Sequence, residues 1–218
     1  MKSLIKVFLV LAAVFGSTFL LMKFSGVLTV EQIEGWLTHA RTLSPLYVGT
    51  LVAVLLFADL FIAVPTLTIT ILAGYFLGHG YGAVSALTGV TLAGVCGYVL
   101  SRRYGDAVLC VLVKEESQRR EAVASFQQHG FMMILLSRAL PILPEVTACL
   151  SGMTGMKFSR FITAWLISAV PYTLLGTYAG SISTIENPKP AIYAAIGISM
   201  FLWIAWFVYR RWHQPKYS

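Results

Sequence analysis

Residues 138–145 read RALPILPE and residues 59–66 read DLFIAVPT, and these two short stretches decide how the chain folds. Each lies within an apolar segment long enough to enter a bilayer, and each places a charged residue six positions before a proline. Proline breaks a helix, and an Asp or Arg at the bilayer centre costs about 2.5–3.5 kcal/mol on insertion scales. Neither segment therefore reads as an ordinary membrane-crossing helix.

The composition around these stretches is that of an integral membrane protein. Of the 218 residues, 57% are hydrophobic and only 11% are charged, whereas a soluble domain carries roughly a quarter charged residues. A run of about 20 apolar residues spans the hydrocarbon layer. Five runs reach or approach this length, at 4–22, 46–71, 83–100, 158–179 and 191–209. We expect an all-α integral membrane protein that is not a soluble enzyme.

The positions of the basic residues distinguish two topologies. If both broken segments cross the membrane, there are six crossings, with seven basic residues on the inner side and eight on the outer side. If both segments enter and return on the same side, four crossings remain. Twelve basic residues then lie inside and three outside, with Arg138 in the membrane. The second topology obeys the positive-inside rule, and it predicts a multi-pass protein of the cell (inner) membrane with both termini cytoplasmic.

The two predicted re-entrant hairpins resemble each other. The first, over 46–78, enters from outside and contains Asp59 and Pro65, while the second, over 131–156, enters from inside. In each, a glycine of a small-residue run follows the proline by eight or nine residues, at Gly74 or Gly152. Two such units facing opposite ways form an inverted repeat, as in many transporters. We therefore predict a helical bundle with two opposed re-entrant hairpins.

The remaining segments complete the predicted organisation. An uncleaved transmembrane helix and a short interfacial helix occupy residues 1–44, the hairpin core occupies 45–180, and a last transmembrane helix with a basic tail occupies 181–218. The hydrophilic stretch 104–128 is predicted as a surface helix. Gly74 and Gly78, spaced four apart, are predicted to allow close helix packing.

Three ionisable residues, Asp59, Arg138 and Glu145, fall inside the apolar segments. One interpretation is structural: Asp59 and Arg138 neutralise each other where the hairpin tips meet. The other is functional: a polar cavity near the midplane in which Arg138 binds an anionic group and Asp59 or Glu145 exchanges a proton. The two interpretations overlap, because a resting ion pair can open to admit a substrate.

The prolines mark where the hairpins turn. Pro65, Pro141 and Pro144 are predicted at the tips, where broken helices leave backbone groups that must line a wet cavity or be buried in protein. Threonine hydroxyls could contribute to such a cavity, although internal helix bonding is the commoner role for a threonine in a helix. The threonines concerned are Thr66, Thr68, Thr70 and Thr147.

These features together resemble the DedA superfamily, also called VTT-domain or SNARE-associated Golgi proteins. The resemblance rests on Asp59 ahead of Pro65, the AGYFLG run at 73–78, the RALPILP run at 138–144 and the glycine Gly152. Its other elements are Gly89, Gly97, Tyr98, Arg102, Phe161 and Pro171. It covers about residues 45–180.

Membership would imply two opposed re-entrant hairpins and the movement of phospholipids or polyprenyl phosphates between leaflets, with proton dependence in several bacterial members. The family's acidic residue maps to Asp59 and its first hairpin-two arginine to Arg138. Pro144 stands where many bacterial members carry a second arginine, which makes the chain more similar to the branch shared with eukaryotes. The resemblance supplies no role for Glu145.

Three functions follow as hypotheses. The first is a lipid flippase or scramblase, proton-linked, whose partners are membrane lipids and protons. The second is a proton-coupled transporter for a small solute or ion, and the third is a non-transporting membrane scaffold. None requires a cofactor, a metal or nucleic acid, and homo-oligomerisation stays open.

Overall fold

A computed structural model describes residues 44–62, 64–112, 115–139 and 142–183, together with scattered positions nearer the termini. Within this part the chain is helical and contains no strand. Five α-helices and one short 3-10 helix follow one another: α1 (Pro45–Ala58), α2 (Thr66–Leu112), α3 (Glu116–Leu136), the 3-10 helix (Ser137–Ala139), α4 (Leu143–Met153) and α5 (Phe158–Ser181). The predicted helices over 4–22, 29–44 and 191–209 lie largely or wholly outside the described residues.

Helix α1 is too short to cross a bilayer. It begins where the Ser44 hydroxyl accepts a hydrogen bond from the Tyr47 N–H (3.2 Å), with Pro45 in the first turn, where its missing N–H does no harm. Its 14 residues rise about 21 Å, against a hydrocarbon thickness of about 30 Å. The helix ends at Ala58, and the chain turns through Asp59 before α2 begins.

Helix α2 is two helices joined at a sharp turn. Gly78 adopts φ 76° and ψ 170°, a conformation that glycine reaches without the penalty of a side chain. The part over 66–77 folds back against the part that follows, so that a Cβ on Gly82 would lie 2.7 Å from the Ala73 carbonyl oxygen. The glycines at 74, 78 and 82 therefore make and pack a turn.

The direction of α1 follows from its glycine contacts with the second part of α2. Gly49 faces Ser85, Gly89 faces Ala53, and Gly97 faces Leu60. The residue numbers of the contacting pairs rise together along both segments, so α1 runs parallel to residues 79–112 and antiparallel to 66–77. We call α1 with residues 66–77 the first hairpin; its tip lies at 59–65 and its open end lies near Gly78.

The second hairpin consists of α3 and α4. Gly97 lies beside Ala148, and Gly152 lies against Tyr98 and Arg102, so α4 also runs parallel to residues 79–112. Helix α3 runs back along α4, as shown by the 3.0 Å hydrogen bond from the Gln127 amide to the Thr154 carbonyl. The open end of the second hairpin therefore lies near Arg102, opposite to the open end of the first hairpin. The tips of the two hairpins meet between these ends.

Helix α5 packs against both parts of α2. The Tyr98 ring stacks on Phe161 with centroids 4.8 Å apart, and Gly94 lies against the Trp165 ring. Further along, Gly74 and Gly180 leave room for backbone-to-backbone contact between residues 66–77 and the end of α5. Close packing at small residues is typical of helices in membranes.

Two of the described helical segments are long and apolar enough to cross a membrane, Thr66–Gly105 and Phe158–Ser181. The turn at Gly78 divides the first of them into a hairpin leg and a spanning part. Large apolar side chains on the outside include Leu46 and Val54 on α1 and Leu175 on α5. The described part is thus an all-α membrane protein, as the composition predicts.

The predicted surface helix over 104–128 is wrong in its boundaries. Helix α2 continues through this region to Leu112, and α3 already begins at Glu116. The segment is hydrophilic because both helices extend beyond their apolar parts, and its charges include the exposed pair of Arg120 and Glu116 on one face of α3.

Candidate functional site

The tip of the first hairpin is organised by Asp59. Its Oδ1 accepts a hydrogen bond from the Val64 N–H (2.9 Å), and its Oδ2 accepts one from the Thr66 hydroxyl (2.6 Å). The side chain is 8% exposed. Asp59 therefore closes its own turn, holding the residues that lead into α2, and both carboxylate oxygens have donors from the same hairpin.

The tip of the second hairpin is organised differently. Arg138 lies in the 3-10 helix, and its guanidinium lies over two rings of α5, 5.3 Å from the centroid of Trp165 and 4.9 Å from that of Tyr172. Cations over aromatic faces are attracted by the ring quadrupole. The Nε and Nη2 atoms are buried and have no hydrogen-bond partner. No carboxylate therefore accepts from these two nitrogens.

The chain bends sharply beside Arg138. Ile142, the residue before α4, has φ 76° and ψ −23°, the left-handed region that a β-branched residue rarely adopts. Such a conformation costs about 1–2 kcal/mol. The second tip therefore combines backbone strain with unsatisfied buried donors, a combination that clusters at functional sites.

Glu145 completes the cluster from the first turn of α4. Its carboxyl lies within hydrogen-bonding reach of the Asp59 carboxyl, and both act electrostatically on Arg138. Two carboxyls can share a hydrogen bond only when one carries a proton. Asp59 already accepts two donors that favour its ionised form, so the arrangement places the shared proton on Glu145.

The structure thus brings together the three charged residues predicted from the sequence. Pro65 directly precedes α2, and Pro144 lies in the first turn of α4, so both prolines stand where a helix starts rather than inside one. Pro141 lies outside the described residues. Gly74 and Gly152 pack the returning hairpin legs against α5 and α2, where a Cβ would meet the backbone at Thr177 and at Tyr98 respectively.

The tip threonines divide into two groups. Thr70 and Thr147 donate to carbonyls within their own helices, those of Thr66 and Pro144. Thr66 instead donates to Asp59. It is therefore the threonine, among these three, that belongs to the charged cluster.

Sequence reasoning missed the α5 residues. Trp165 and Tyr172 are seven positions apart, which is two helical turns, so they lie on one face of α5. Trp165 is 3% exposed, and its indole Nε1 has no hydrogen-bond partner. Two aromatic residues at this spacing, each with a polar atom, are the signal that could have pointed to them.

The family of the chain follows from its match to a family model. The model of the VTT domain matches residues 64–182, which is more than half of the chain. The chain belongs to the VTT-domain (DedA) family. This confirms the resemblance found in the sequence, and Arg138, Glu145 and α5 all lie within the matched range, whereas Asp59 precedes it.

Two of the three relatives reported for this VTT-domain protein are membrane proteins by name. An uncharacterized membrane protein of Mycobacterium leprae is 27% identical over 52% of this chain and 56% of its own length. The chain thus spans little more than half of that relative. An uncharacterized membrane protein of a Synechocystis strain is 24% identical over 70% of the chain and 80% of its own length. An uncharacterized Bacillus subtilis protein is 28% identical over 69% and 73%. No solved structure matches the chain.

Proposed function

We propose that this VTT-domain protein moves lipids with an anionic headgroup between the two leaflets of the cell (inner) membrane, in a proton-linked manner. The observation that carries the proposal is the buried guanidinium of Arg138, whose Nε and Nη2 lack partners at the point where two oppositely directed hairpins meet. A cation buried at membrane depth without a full set of partners marks a substrate or ion pathway.

The hairpins supply the architecture that such movement needs. We propose that they are re-entrant, that they form an inverted repeat, and that four crossings leave both termini cytoplasmic. Three observations support this: α1 is too short to span, the two hairpins open in opposite directions along α2, and the charge distribution obeys the positive-inside rule. The charged tips then lie near the midplane, reachable in turn from either side.

The pair of carboxyls supplies a route for proton coupling. With one shared proton, Asp59, Glu145 and Arg138 together carry no net charge. An anion beside Arg138 further stabilises the protonated form of Glu145, and its departure removes that stabilisation, which favours release of the proton. Headgroup and proton would therefore move together.

The outer surface of α1 suits a lipid substrate. Leu46 is 82% exposed, and Val54 on the same helix is also exposed, so this helix presents apolar side chains on its outer face. A lipid could place its headgroup at the charged tips while its chains stay in hydrocarbon beside α1.

The test is reconstitution into liposomes that contain headgroup-labelled phospholipid or polyprenyl phosphate, with and without a pH gradient. We expect lipid exchange faster than in empty liposomes, and a further change in rate with the gradient. Absence of acceleration for both lipid classes would contradict the proposal, and proton-coupled flux of a soluble anion without lipid movement would favour the small-solute transporter.

Topology is tested separately by labelling single cysteines from each side of the membrane. We expect the segment between α2 and α3 to react from the cytoplasmic side and the Gly78 turn from the opposite side. Labelling of both from the same side would contradict the opposed re-entrant hairpins.

A further inference from the structure

The Arg138 guanidinium does not stand alone as a buried donor without a partner. The indole Nε1 of Trp165 is in the same condition, and Trp165 forms part of the aromatic surface on which Arg138 rests. Unsatisfied buried polar atoms are rare in folded proteins, and each one calls for an explanation. Unsatisfied atoms on two contacting side chains call for a common explanation.

The chemistry of these donors defines what is missing. Arginine and the indole of tryptophan are donors only, with no acceptor atom in either side chain. Both groups can be satisfied at once by a ligand with several acceptor oxygens. The charge of Arg138 favours a negative ligand, and a guanidinium fork suits the spaced oxygens of a phosphoryl group.

A third side chain extends the set. The Thr91 hydroxyl on α2 is also buried without a partner. Thr91 lies one turn before Gly94, the residue on which the Trp165 ring packs, so both positions are on the same face of α2. The buried unpartnered groups thus come from three separate elements, the 3-10 helix, α5 and α2, and Thr91 lies on the face of α2 that packs against Trp165.

We infer that Trp165 is a binding residue that donates its indole N–H to the same phosphoryl group as Arg138, which makes α5 one wall of the headgroup site. The inference rests on the proposed function and deepens it, because it names a second donor to the headgroup and the helix that carries it. Tyr172 has a different part: its ring also contacts the guanidinium, 4.9 Å from the ring centroid, and helps to position it.

Indole NMR tests the inference in the intact protein. The chain has five tryptophans, so detergent-solubilised protein with 15N-labelled indoles gives few resonances, and the signal lost in Trp165→Phe identifies Trp165. The probes are dihexanoyl phosphatidylglycerol, inorganic phosphate and dihexanoylglycerol. We expect a saturable shift of the Trp165 signal with a phosphate-bearing probe and none with dihexanoylglycerol. The first two probes distinguish a lipid headgroup from free phosphate.

A variant of Arg138 checks that the two donors form one site. In Arg138→Gln the Trp165 shift should disappear or need at least about tenfold more probe, because a hydrogen bond to a charged group is lost. Arg138→Lys serves if the Gln variant does not fold, since it keeps the charge but not the fork. A monodisperse peak in size-exclusion chromatography reports whether each variant is folded. No Trp165 shift with either phosphate-bearing probe, or an equal shift with dihexanoylglycerol, would overturn the inference.

Transport adds a readout that separates this inference from the proposed function. Trp165→Phe keeps the aromatic face and should raise the lipid concentration for half-maximal exchange about tenfold. Tyr178→Phe, an exposed position on the same helix, is the matched control and should leave it unchanged. Lipid exchange without a shift of the Trp165 signal would contradict only the inference. A shift of the Trp165 signal without lipid exchange would contradict only the proposed function.

Discussion

The two hairpins are alike in their legs and different in their tips. Each returning leg packs through a glycine onto a neighbouring helix, Gly74 onto α5 and Gly152 onto α2. At the first tip, both oxygens of Asp59 are bonded within the hairpin. At the second tip, Arg138 leaves two nitrogens without partners, and Ile142 is in the left-handed region. The carboxylate at the first tip therefore has donors within its own hairpin, whereas the guanidinium at the second tip has two nitrogens to which no described group offers an acceptor.

The largest effect should come from the shared part of the architecture. Gly74→Val and Gly152→Val should both abolish the folded protein, because a Cβ at either position would occupy the space of backbone atoms. Size-exclusion chromatography in detergent measures this as loss of the monodisperse peak. Gly80→Val is the control, since nothing lies within 4 Å of a Cβ at that position. A folded Gly152 variant beside an unfolded Gly74 variant would show that the legs are not equivalent.

The next largest effect tests whether Asp59 at the first tip stabilises the fold. Asp59→Ala leaves the Val64 N–H without an acceptor and the Thr66 hydroxyl with only its long 3.4 Å hydrogen bond to the Val64 carbonyl. An unsatisfied buried donor costs about 1–3 kcal/mol. We expect a clear fall in melting temperature in detergent. The melting temperature of Asp59→Asn should fall less, because the amide oxygen of the new side chain still accepts a hydrogen bond from the Val64 N–H. Equal stability of the Ala variant and the parent would contradict a structural role for this turn.

Glu145 tests the proton that lies between the tips. Binding of an anion that needs a protonated Glu145 should weaken as the pH rises, so lipid exchange by the parent should slow at higher pH. Glu145→Gln mimics the protonated side chain and should keep the low-pH rate across the range. Exchange measured in liposomes with equal pH on both sides gives the result. A Gln variant with the parent's pH profile would remove Glu145 from the coupling.

The smallest effect concerns a single bond of the first tip. Thr66→Val removes the 2.6 Å hydrogen bond to Asp59 while keeping the shape of the side chain. We expect a loss of stability of about 1 kcal/mol, read from thermal unfolding, with lipid exchange retained. Thr70→Val is the matched control, because Thr70 donates only to a carbonyl of its own helix. Identical behaviour of the two variants would mean that the Thr66 bond adds nothing to the tip.

The sequence could predict where the helices break, because prolines and charges act locally. Pro65 and Pro144 stand at helix starts as their chemistry requires. The partners of the charges were less accessible. Asp59 and Arg138 could have neutralised each other directly. In the structure, the two Asp59 oxygens instead accept hydrogen bonds from the nearby Val64 N–H and Thr66 hydroxyl.

The aromatic enclosure of Arg138 was missed for a physical reason. Trp165 and Tyr172 lie 27 and 34 positions further along the chain than Arg138, and packing between distant segments leaves no short-range pattern. The predicted boundaries of the surface helix at 104–128 were wrong for another reason. Polarity marks where a helix leaves the apolar layer, not where the helix ends.

The most direct test of the difference between the tips is to measure lipid exchange and melting temperature together for Arg138→Gln. Removal of the guanidinium loses its two ring contacts but no hydrogen bond of the two unsatisfied nitrogens, so the melting temperature should fall less than in Asp59→Ala. The loss of charge-assisted bonds to the headgroup should slow exchange at least about 100-fold. Parent-like exchange, or a melting temperature as low as that of Asp59→Ala, would contradict the account, because Arg138 would then be dispensable or merely structural.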